Sequence, residues 1–289
     1  MPIDRWTQIN KRLGILSGIG ELPNVIAVEA KKKGYSITAI IPSPLENATL
    51  EEMADESYRI NIGNLSDLIS LLDRSQIGSI VMAGGFPKTL LYKRDLSIPG
   101  GRRLTLDAMA IGLLKSLNDL SDDSIMDAVV EEIEKRGIKV HGITSFTKDL
   151  MTDEGILTHR EPSESEWMDI RFGWRIVKGI GRLGIGQTVV VKDRAVMAVE
   201  AIEGTDEAIK RGGMLAGGGA VVVKSSRPNQ DMRYDIPVVG IETLRVMNDV
   251  GAHVLALEAK KGIILEKESF IKMANEMGIS VVGVSWRRK

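Results

Sequence analysis

Short runs of aliphatic and β-branched residues alternate with helical patterns along this chain, and this alternation constrains the fold more than any other feature. Residues 12–20 predict a buried strand that ends in a glycine turn, and 22–33 predict a helix with lysines in its last turn. The rest of the first half predicts strands at 37–41, 58–62, 80–85 and 139–143, with helices at 64–72, 104–120 and 124–136. Such alternation is typical of a mainly parallel, doubly wound sheet.

The second half predicts another α/β unit with a less regular order of elements. Its predicted strands are 188–192, 195–201, 220–224, 253–258, 262–266 and 280–284, and its predicted helices are 205–215, 241–250 and 268–277. A hairpin is expected at Asp193-Arg194, and Ser163 with Glu166 form a capping-box pattern that starts a helix over 164–182. We therefore expect two α/β domains joined by a helical linker: an N-terminal Rossmann-like parallel sheet over 1–160 and a C-terminal mixed α/β domain over 161–289.

Composition excludes several classes of protein. The formal net charge of −1 does not indicate the basic surface with which proteins bind nucleic acid. The absence of cysteine excludes disulfides, cysteine zinc sites and a thiol nucleophile. The three histidines are scattered, which disfavours a histidine metal site. No apolar run approaches the roughly 18 residues of a membrane span, and residues 1–6 lack the apolar core of a secretory signal. A cytoplasmic protein is expected.

Two glycine turns follow predicted strands of the first half. Ligands of doubly wound sheets bind beyond the carboxyl ends of the strands, where Gly18 and Gly20 and the pair Gly84-Gly85 are expected to lie. Backbone amides in such turns can hold an anion. A dinucleotide site is disfavoured, because position 23 is proline where the third glycine of the fingerprint would stand. A tight strand-to-helix turn is the simpler interpretation.

Acidic and basic clusters concentrate between residues 186 and 240. Glu203-Gly204-Thr205-Asp206 stands where a strand passes into a helix, although Thr205 or Asp206 could simply cap that helix. Residues 230–235 form an acidic loop between two prolines, for which a solvated surface turn is the alternative interpretation. Lys224 and Arg227 precede this loop and carry charge that suits phosphate. Cleavage of a phosphoanhydride requires groups of this kind. Carboxylates hold a hard divalent ion, and cationic side chains bind the remaining phosphate oxygens.

These motifs, in this order, resemble one known family. The most specific are Gly186-Gln187, the run 199–206, and Lys224 followed by the loop 228–237 with Gln230, Asp231, Arg233 and Asp235. From residue 13 to about 284 the chain resembles the UDP-2,3-diacylglucosamine pyrophosphatases of lipid A biosynthesis, in their magnesium-dependent form rather than the metallophosphoesterase form. Ile19, in place of the middle glycine of a Gly-Gly-Gly turn, and Arg227, where lysine is common, depart from the family pattern.

The resemblance implies a function and a site. Family enzymes have two domains that face each other across a lipid-holding cleft, and they cut UDP-2,3-diacylglucosamine into UMP and 2,3-diacylglucosamine 1-phosphate (lipid X), with water directed at the sugar-side phosphorus. The implied cofactor is Mg²⁺, with Mn²⁺ as an alternative. The implied catalytic residues are Asp231, its close competitor Asp235, and Lys224; the metal ligands are Asp231, Asp235, Glu203 and Asp206; and the substrate-binding residues are Gly18, Gly20, Gly84, Gly85, Gln187, Thr205, Arg227, Gln230 and Arg233.

Two other functions remain open at this stage. A protein on the same scaffold could bind a nucleotide-sugar or lipid without cleaving it, and a nicotinamide oxidoreductase would need cofactor binding that the glycine pattern does not favour. The expected partner is a lipid-linked nucleotide-sugar substrate and not nucleic acid, which is compatible with peripheral contact at the inner membrane. The sequence leaves the oligomeric state open.

Overall fold

The computed structural model describes residues 11–86, 105–228 and 230–286. These residues form two compact units. The first comprises the described residues up to Thr147 together with Asp231–Asp235, and the second comprises Lys148–Gln230 and Ile236 onwards. Leu104, the first residue of the helix predicted over 104–120, and the N-terminal stretch 1–6 lie outside the described residues.

The first unit is built on a parallel sheet. Its strands are β1 (Arg12–Ser17), β2 (Ser36–Ser43), β3 (Glu56–Asn61), β4 (Ser79–Ala83) and β5 (Lys139–His141). They are ordered β3-β2-β1-β4-β5, and every pairing is parallel. The direction of strand addition reverses between β1 and β4, which is the position where such sheets bind ligands. The predicted Rossmann-like parallel sheet is confirmed.

Helices connect these strands and cover the sheet. They are α1 (Leu22–Lys32), α2 (Ala48–Met53), α3 (Leu65–Arg74), α4 (Ala108–Ser116), α5 (Asp122–Glu134) and α6 (Thr144–Thr147). The helix α1 starts with Pro23 in its first turn and ends with Lys31 and Lys32, as the sequence predicted. The apolar stripe of α3 buries Leu68 and Leu72 against the sheet. Neither α2 nor α6, both six residues or shorter, was predicted.

The acidic loop Asp231–Asp235 belongs to the first unit, although the sequence placed it in the C-terminal domain. Tyr234 is buried in the core of the first unit, and its hydroxyl donates to Asp127 at 2.7 Å. The Arg233 carbonyl accepts from the Ile143 amide at 3.2 Å, and its guanidinium lies 3.4 Å from Glu134. These contacts assign the loop to the first unit because they join it to α5 and to the chain after β5.

The second unit is built on a mixed sheet. Its strands are β6 (Gly155–Ile156), β7 (Thr188–Lys192), β8 (Ala195–Val199), β9 (Val221–Lys224), β10 (Val238–Val239), β11 (Val254–Glu258), β12 (Ile263–Ile264) and β13 (Ser280–Val284). Six of them are ordered β6-β13-β11-β9-β7-β8, with β13, β11 and β9 parallel and the other pairings antiparallel. The strands β10 and β12 form a separate parallel pair. The predicted mixed C-terminal domain is confirmed.

Local rules place the hairpin and the helices of this unit. The helices are α7 (Glu164–Arg182), α8 (Thr205–Ala216), α9 (Ile241–Asp249) and α10 (Lys267–Glu276). Ser163 and Glu166 make the predicted capping box at the start of α7. The hairpin between β7 and β8 turns at Asp193 and Arg194, both with positive φ, and their amides donate to the buried Asp169 carboxylate. Ile170, Trp174 and Val177 of α7 cover one face of the sheet, and α8, α9 and α10 cover the other.

The chain passes from the first unit to the second at 147/148, whereas the sequence placed the boundary near 160. Residues 148–163 belong to the second unit because β6 pairs with β13 and the Thr152 amide donates to the Gly262 carbonyl at 2.8 Å. The helix α7, predicted as a linker, packs on the second sheet and is one of its layers. Among the described residues, no helix combines the length and apolar character needed to cross a membrane.

Candidate active site

Strand topology gathers the polar residues of the second unit at one edge of its sheet. The strands β9 and β11 are parallel and end at Lys224 and Glu258, with Lys224 opposite Leu257 in register. The strand β7 runs antiparallel to β9, so its first residue, Thr188, pairs with Lys224. The strand β8 runs back antiparallel to β7 and therefore delivers Glu200 to the same edge. Residues distant in sequence meet here because parallel strands end together.

Lys224 stands at one end of a chain of hydrogen bonds at this edge. Its side chain is buried, with 3% of the residue exposed, and Nζ donates to the Thr205 hydroxyl at 2.5 Å. That hydroxyl donates in turn to Glu200 Oε1 at 3.0 Å, and Glu200 Oε2 accepts from the Gln187 amide at 3.3 Å. The structure thus brings together three predicted site residues, Lys224, Thr205 and Gln187, and adds Glu200 as the carboxylate that links them.

Thr205 is available for this role because it does not cap its helix. Gly204 occupies the N-cap position of α8 with a φ of 88°, and no side chain caps the helix there. The interpretation of Thr205 or Asp206 as a simple cap is therefore wrong. Gly186 is needed for a different reason, since a Cβ at this position would lie 2.1 Å from the Glu200 carbonyl oxygen.

Gln230 and Arg227 lie at the far end of the same segment. Gln230 Oε1 accepts from the Arg227 amide at 2.7 Å, and its Nε2 donates to Gln187 Oε1 at 3.4 Å. The Ser225 amide also donates to the Gln187 carbonyl at 3.0 Å. Gln187 therefore holds both ends of the segment 225–230.

The two predicted metal ligands of this unit differ in how their carboxylates are occupied. Glu203 accepts from the Ala201 amide at 3.1 Å and from Arg211 at 2.6 Å, so both of its oxygens already have donors. Asp206 accepts only a 3.3 Å bond from the Thr243 hydroxyl among the contacts resolved. Burial raises the pKa of Asp206, and the nearby Lys224 charge partly offsets that rise. Across the described part of the chain, no three carboxylate or histidine side chains converge to hold a metal ion.

The predicted catalytic aspartates lie on the loop of the first unit. Asp231 Oδ1 accepts from the Arg233 amide at 2.8 Å, and Oδ2 accepts from the Arg233 guanidinium at 2.9 Å and 2.7 Å. Burial raises the pKa of Asp231, but the Arg233 hydrogen bonds and charge outweigh it and leave the pKa below its usual value. Asp231 is therefore anionic at neutral pH. Asp235 is half-buried, and its amide donates to the Asp231 carbonyl at 3.0 Å.

The two glycine turns of the first unit meet at the switch point. The Gly18 amide donates to the Ala83 carbonyl at 2.7 Å, and Ile19 and Gly85 exchange two backbone hydrogen bonds of 2.8 and 2.9 Å. A Cβ at Gly18 would lie 2.5 Å from the Gly85 carbonyl oxygen, and one at Gly84 would lie 2.7 Å from that of Ile19. The two turns are thus joined by hydrogen bonds from the amides of Gly18, Ile19 and Gly85. Gly20, at a φ of 96°, has open space around it.

Comparison with known proteins identifies the family. A model described as the LpxI N-terminal domain matches residues 12–150, and one described as the LpxI C-terminal domain matches residues 153–282. The chain belongs to the LpxI family. The UDP-2,3-diacylglucosamine pyrophosphatase LpxI of Caulobacter vibrioides is 26% identical over 285 residues, which cover 95% of this chain and 98% of that protein.

More distant similarities extend beyond LpxI proteins. A formate-dependent phosphoribosylglycinamide formyltransferase of Prochlorococcus marinus is 24% identical over 189 residues, which cover 65% of this chain and 42% of that protein. Among solved structures, the biotin carboxylase domain of the Hydrogenobacter thermophilus 2-oxoglutarate carboxylase matches at 14% identity over 83% of this chain and 40% of that chain, with a TM-score of 0.27.

One buried charge beside the candidate site was not among the predicted site residues. Glu258 accepts from Lys178, Ser225 and Ser226, and it ends β11 beside Lys224. The available signal was an acidic residue directly after the apolar run 254–257, since a charge at the end of a buried strand needs a partner. Lys178 lies on α7 one turn after Trp174, a position that gives no sign of its partner in sequence.

Proposed function

We propose that this chain hydrolyses the diphosphate bond of UDP-2,3-diacylglucosamine and releases UMP and 2,3-diacylglucosamine 1-phosphate. The observation that carries the proposal is the match to both LpxI domain models, which together span residues 12–150 and 153–282. A relative named for this activity, aligned over 95% of the chain, supports it further. The reaction places the chain in lipid A biosynthesis as a hydrolase.

Lys224 is suited to bind the diphosphate. Its ammonium group is a compact charge at the carboxyl edge of a sheet, and burial strengthens its interaction with a phosphate oxygen. The Thr205 hydroxyl and Glu200 fix its position. A cation fixed in this way stabilises negative charge that develops on the leaving phosphate without reorganising during the reaction. Gln187, Arg227 and Gln230 would contribute further polar contacts to the substrate.

Asp231 is suited to act as the catalytic carboxylate of the hydrolysis. It stays ionised at neutral pH because Arg233 donates to both of its oxygens. An anionic carboxylate can orient the attacking water and accept its proton, or help to hold a divalent ion. Asp235 follows one helical turn later and remains the alternative for this role.

The available donors fit Mg²⁺ that is shared with the substrate. Carboxylate oxygens are the ligand type that Mg²⁺ takes, and this ion is usually held by one or two carboxylates together with substrate phosphates and waters. Asp231 and Asp235 of the first unit would hold it. When bound, Mg²⁺ supplies charge neutralisation on the diphosphate, and Mn²⁺ could substitute for it.

The substrate also suggests where the enzyme works. A diacylated sugar nucleotide resides in a membrane, so we infer a cytoplasmic enzyme that meets its substrate at the surface of the inner membrane. Sedimentation with vesicles that contain the substrate, compared with vesicles that lack it, tests this location.

UMP release from UDP-2,3-diacylglucosamine tests the proposed reaction. Wild-type protein should form UMP with Mg²⁺, lose activity with a chelator and regain it when Mg²⁺ or Mn²⁺ is restored. Asp231→Ala should bind substrate and fail to turn it over, whereas Asp153→Ala, which removes an exposed aspartate paired with Lys267, should behave as wild type. Substrate binding without UMP release by the wild type would favour a binding protein on this scaffold.

A further inference from the structure

A buried carboxylate lies beside the segment that follows Lys224. Glu258 is 8% exposed, and its Oε2 accepts from the Ser225 hydroxyl at 2.9 Å, the Ser226 amide at 3.0 Å and the Ser226 hydroxyl at 2.6 Å. Two consecutive residues are thus tied to one carboxylate. They are the first two residues after Lys224, so the direction in which the chain leaves β9 depends on Glu258.

Lys178 holds the same segment from the helix α7. Its Nζ donates to Glu258 Oε2 at 2.7 Å and to the Ser226 carbonyl at 3.0 Å, and it lies 5.1 Å from the centre of the Trp174 ring. Lys178 therefore joins the end of β11, the segment and the helix. One turn further along α7, Gly181 faces the segment closely, since a Cβ there would lie 3.5 Å from Arg227 Cα.

The contacts that hold the segment are made by an ion pair, Lys178 and Glu258, instead of by apolar side chains. Burying a carboxylate and an ammonium group costs desolvation free energy that apolar side chains would not cost. The stability of the fold therefore does not by itself explain an ion pair at this position. Burial tends to raise the pKa of Glu258, but the bonds from Lys178 and Ser226 lower it to about 2. Burial also lowers the pKa of Lys178, with Glu258 acting against that change. An ionised, multiply bonded carboxylate allows fewer arrangements of its partners than apolar packing does.

The segment held in this way carries predicted substrate contacts. Lys224 precedes it, Arg227 lies within it and Gln230 ends it. Gln187 also holds it, through Ser225 and Gln230. Glu258 and Lys178 therefore fix the start of the segment at Ser225 and Ser226, and Gln187 fixes Ser225 and Gln230.

We propose that Glu258 and Lys178 are positioning residues of the diphosphate site: they hold the segment 225–230 so that Lys224, Arg227 and Gln230 present their polar groups to the substrate together. This inference rests on the proposed hydrolase function. Neither residue needs to touch the substrate. A displacement of about 1 Å at a reacting centre is enough to reduce turnover about 100-fold.

The test compares Lys178→Met and Glu258→Gln with a matched control, Lys267→Met. Lys178 and Lys267 have equal side-chain exposure of 21%, and each donates to one carboxylate and one main-chain carbonyl. Lys267 bonds Asp153 and Met151 instead of the segment. We expect kcat for UMP release to fall about 10- to 100-fold in Lys178→Met and Glu258→Gln, with KM changed less than about threefold. Lys267→Met should keep the wild-type kcat.

Two further measurements separate positioning from general stability. The double variant should be no slower than the slower single variant, because residues that act as one unit have non-additive effects. Hydrogen exchange of peptides that cover 225–230 should speed up in both single variants and not in Lys267→Met. This exchange measurement does not require turnover.

Each alternative result overturns the inference in a distinct way. An unchanged kcat in both single variants, an equal loss in Lys267→Met, or a rise in KM alone would show that the pair does not position the site for turnover. If the wild type itself released no UMP, the proposed function would fail, and this inference would fail with it. An active wild type with active variants instead refutes the positioning role alone.

Discussion

The ammonium group of Lys224 donates to the hydroxyl of Thr205 at 2.5 Å, and this bond joins the end of β9 to the first residue of α8. The Thr205 hydroxyl in turn donates to Glu200, so one hydroxyl links the buried Lys224 to a buried carboxylate. The arrangement fixes the lysine side chain at the edge of the sheet. This position is the basis of the proposal that Lys224 binds the diphosphate.

Removal of this charge should affect catalysis far more than folding. Lys224→Met keeps the length of the side chain, and we expect kcat/KM to fall about 100- to 1,000-fold, the cost typical of losing one fixed stabiliser of transition-state charge. Thermal unfolding should confirm that the variant folds. Lys210→Met, which removes an exposed lysine of the same helix as Thr205, provides the control. Equal activity of the Lys224 and Lys210 variants would refute the role of Lys224.

The joined glycine turns predict a contrast in stability. Gly18→Ala should lower the free energy of unfolding by about 1–3 kcal/mol or more, because the new Cβ would lie 2.5 Å from the Gly85 carbonyl oxygen. Gly112→Ala in α4 should raise it by about 0.5–1 kcal/mol, because its Cβ meets nothing within 4 Å and alanine favours the helix. Urea unfolding of both variants measures the difference. A stable Gly18→Ala protein would mean that the turns can separate.

The depressed pKa of Glu258 predicts a pH dependence of stability. Its pKa falls from 4.5 to about 2 on folding, so the ionised group contributes about 3 kcal/mol above pH 4.5, and this contribution is lost as the pH falls towards 2. The gap in unfolding free energy between the wild type and Glu258→Gln should therefore narrow over this range. Chemical denaturation at several pH values measures it. A gap that stays constant down to pH 2 would contradict the depressed pKa.

Isotope labelling tests the direction of water attack. If water attacks the sugar-side phosphorus, a reaction in H₂¹⁸O should place the label in 2,3-diacylglucosamine 1-phosphate and leave UMP unlabelled. Mass spectrometry of the two products decides between the phosphorus atoms. Label in UMP would show that water attacks the phosphorus on the uridine side. The hydrolase function would then still hold.

Local rules made much of the fold predictable. The strand and helix alternation gave the parallel sheet, the Ser163–Glu166 pair gave the start of α7, and Asp193-Arg194 gave the hairpin. Each of these depends on residues close together in sequence. The membership of residues 231–235 in the first unit was not predictable, because it depends on the burial of Tyr234 and its bond to Asp127, more than 100 residues away.

The sequence indicated the residue types of the candidate site but not the hydrogen bonds between them. Lys224, Thr205 and Gln187 carried recognisable chemistry, yet which of them would share hydrogen bonds depended on the antiparallel return of β7 and β8 to the edge of β9. Nothing in the sequence distinguishes Glu203 from Asp206 as a ligand, whereas in the structure Arg211 donates to Glu203. Glu258 and Lys178 are 80 residues apart, and only the packing of α7 on the sheet brings them together.

The most direct test of the central claim is a ³¹P NMR time course of purified protein with UDP-2,3-diacylglucosamine and Mg²⁺. We predict that the diphosphate signals disappear and that two monophosphate signals, from UMP and 2,3-diacylglucosamine 1-phosphate, grow in equal amounts, with no such change for Asp231→Ala. Diphosphate signals that persist in the presence of folded wild-type protein and Mg²⁺ would contradict the claim.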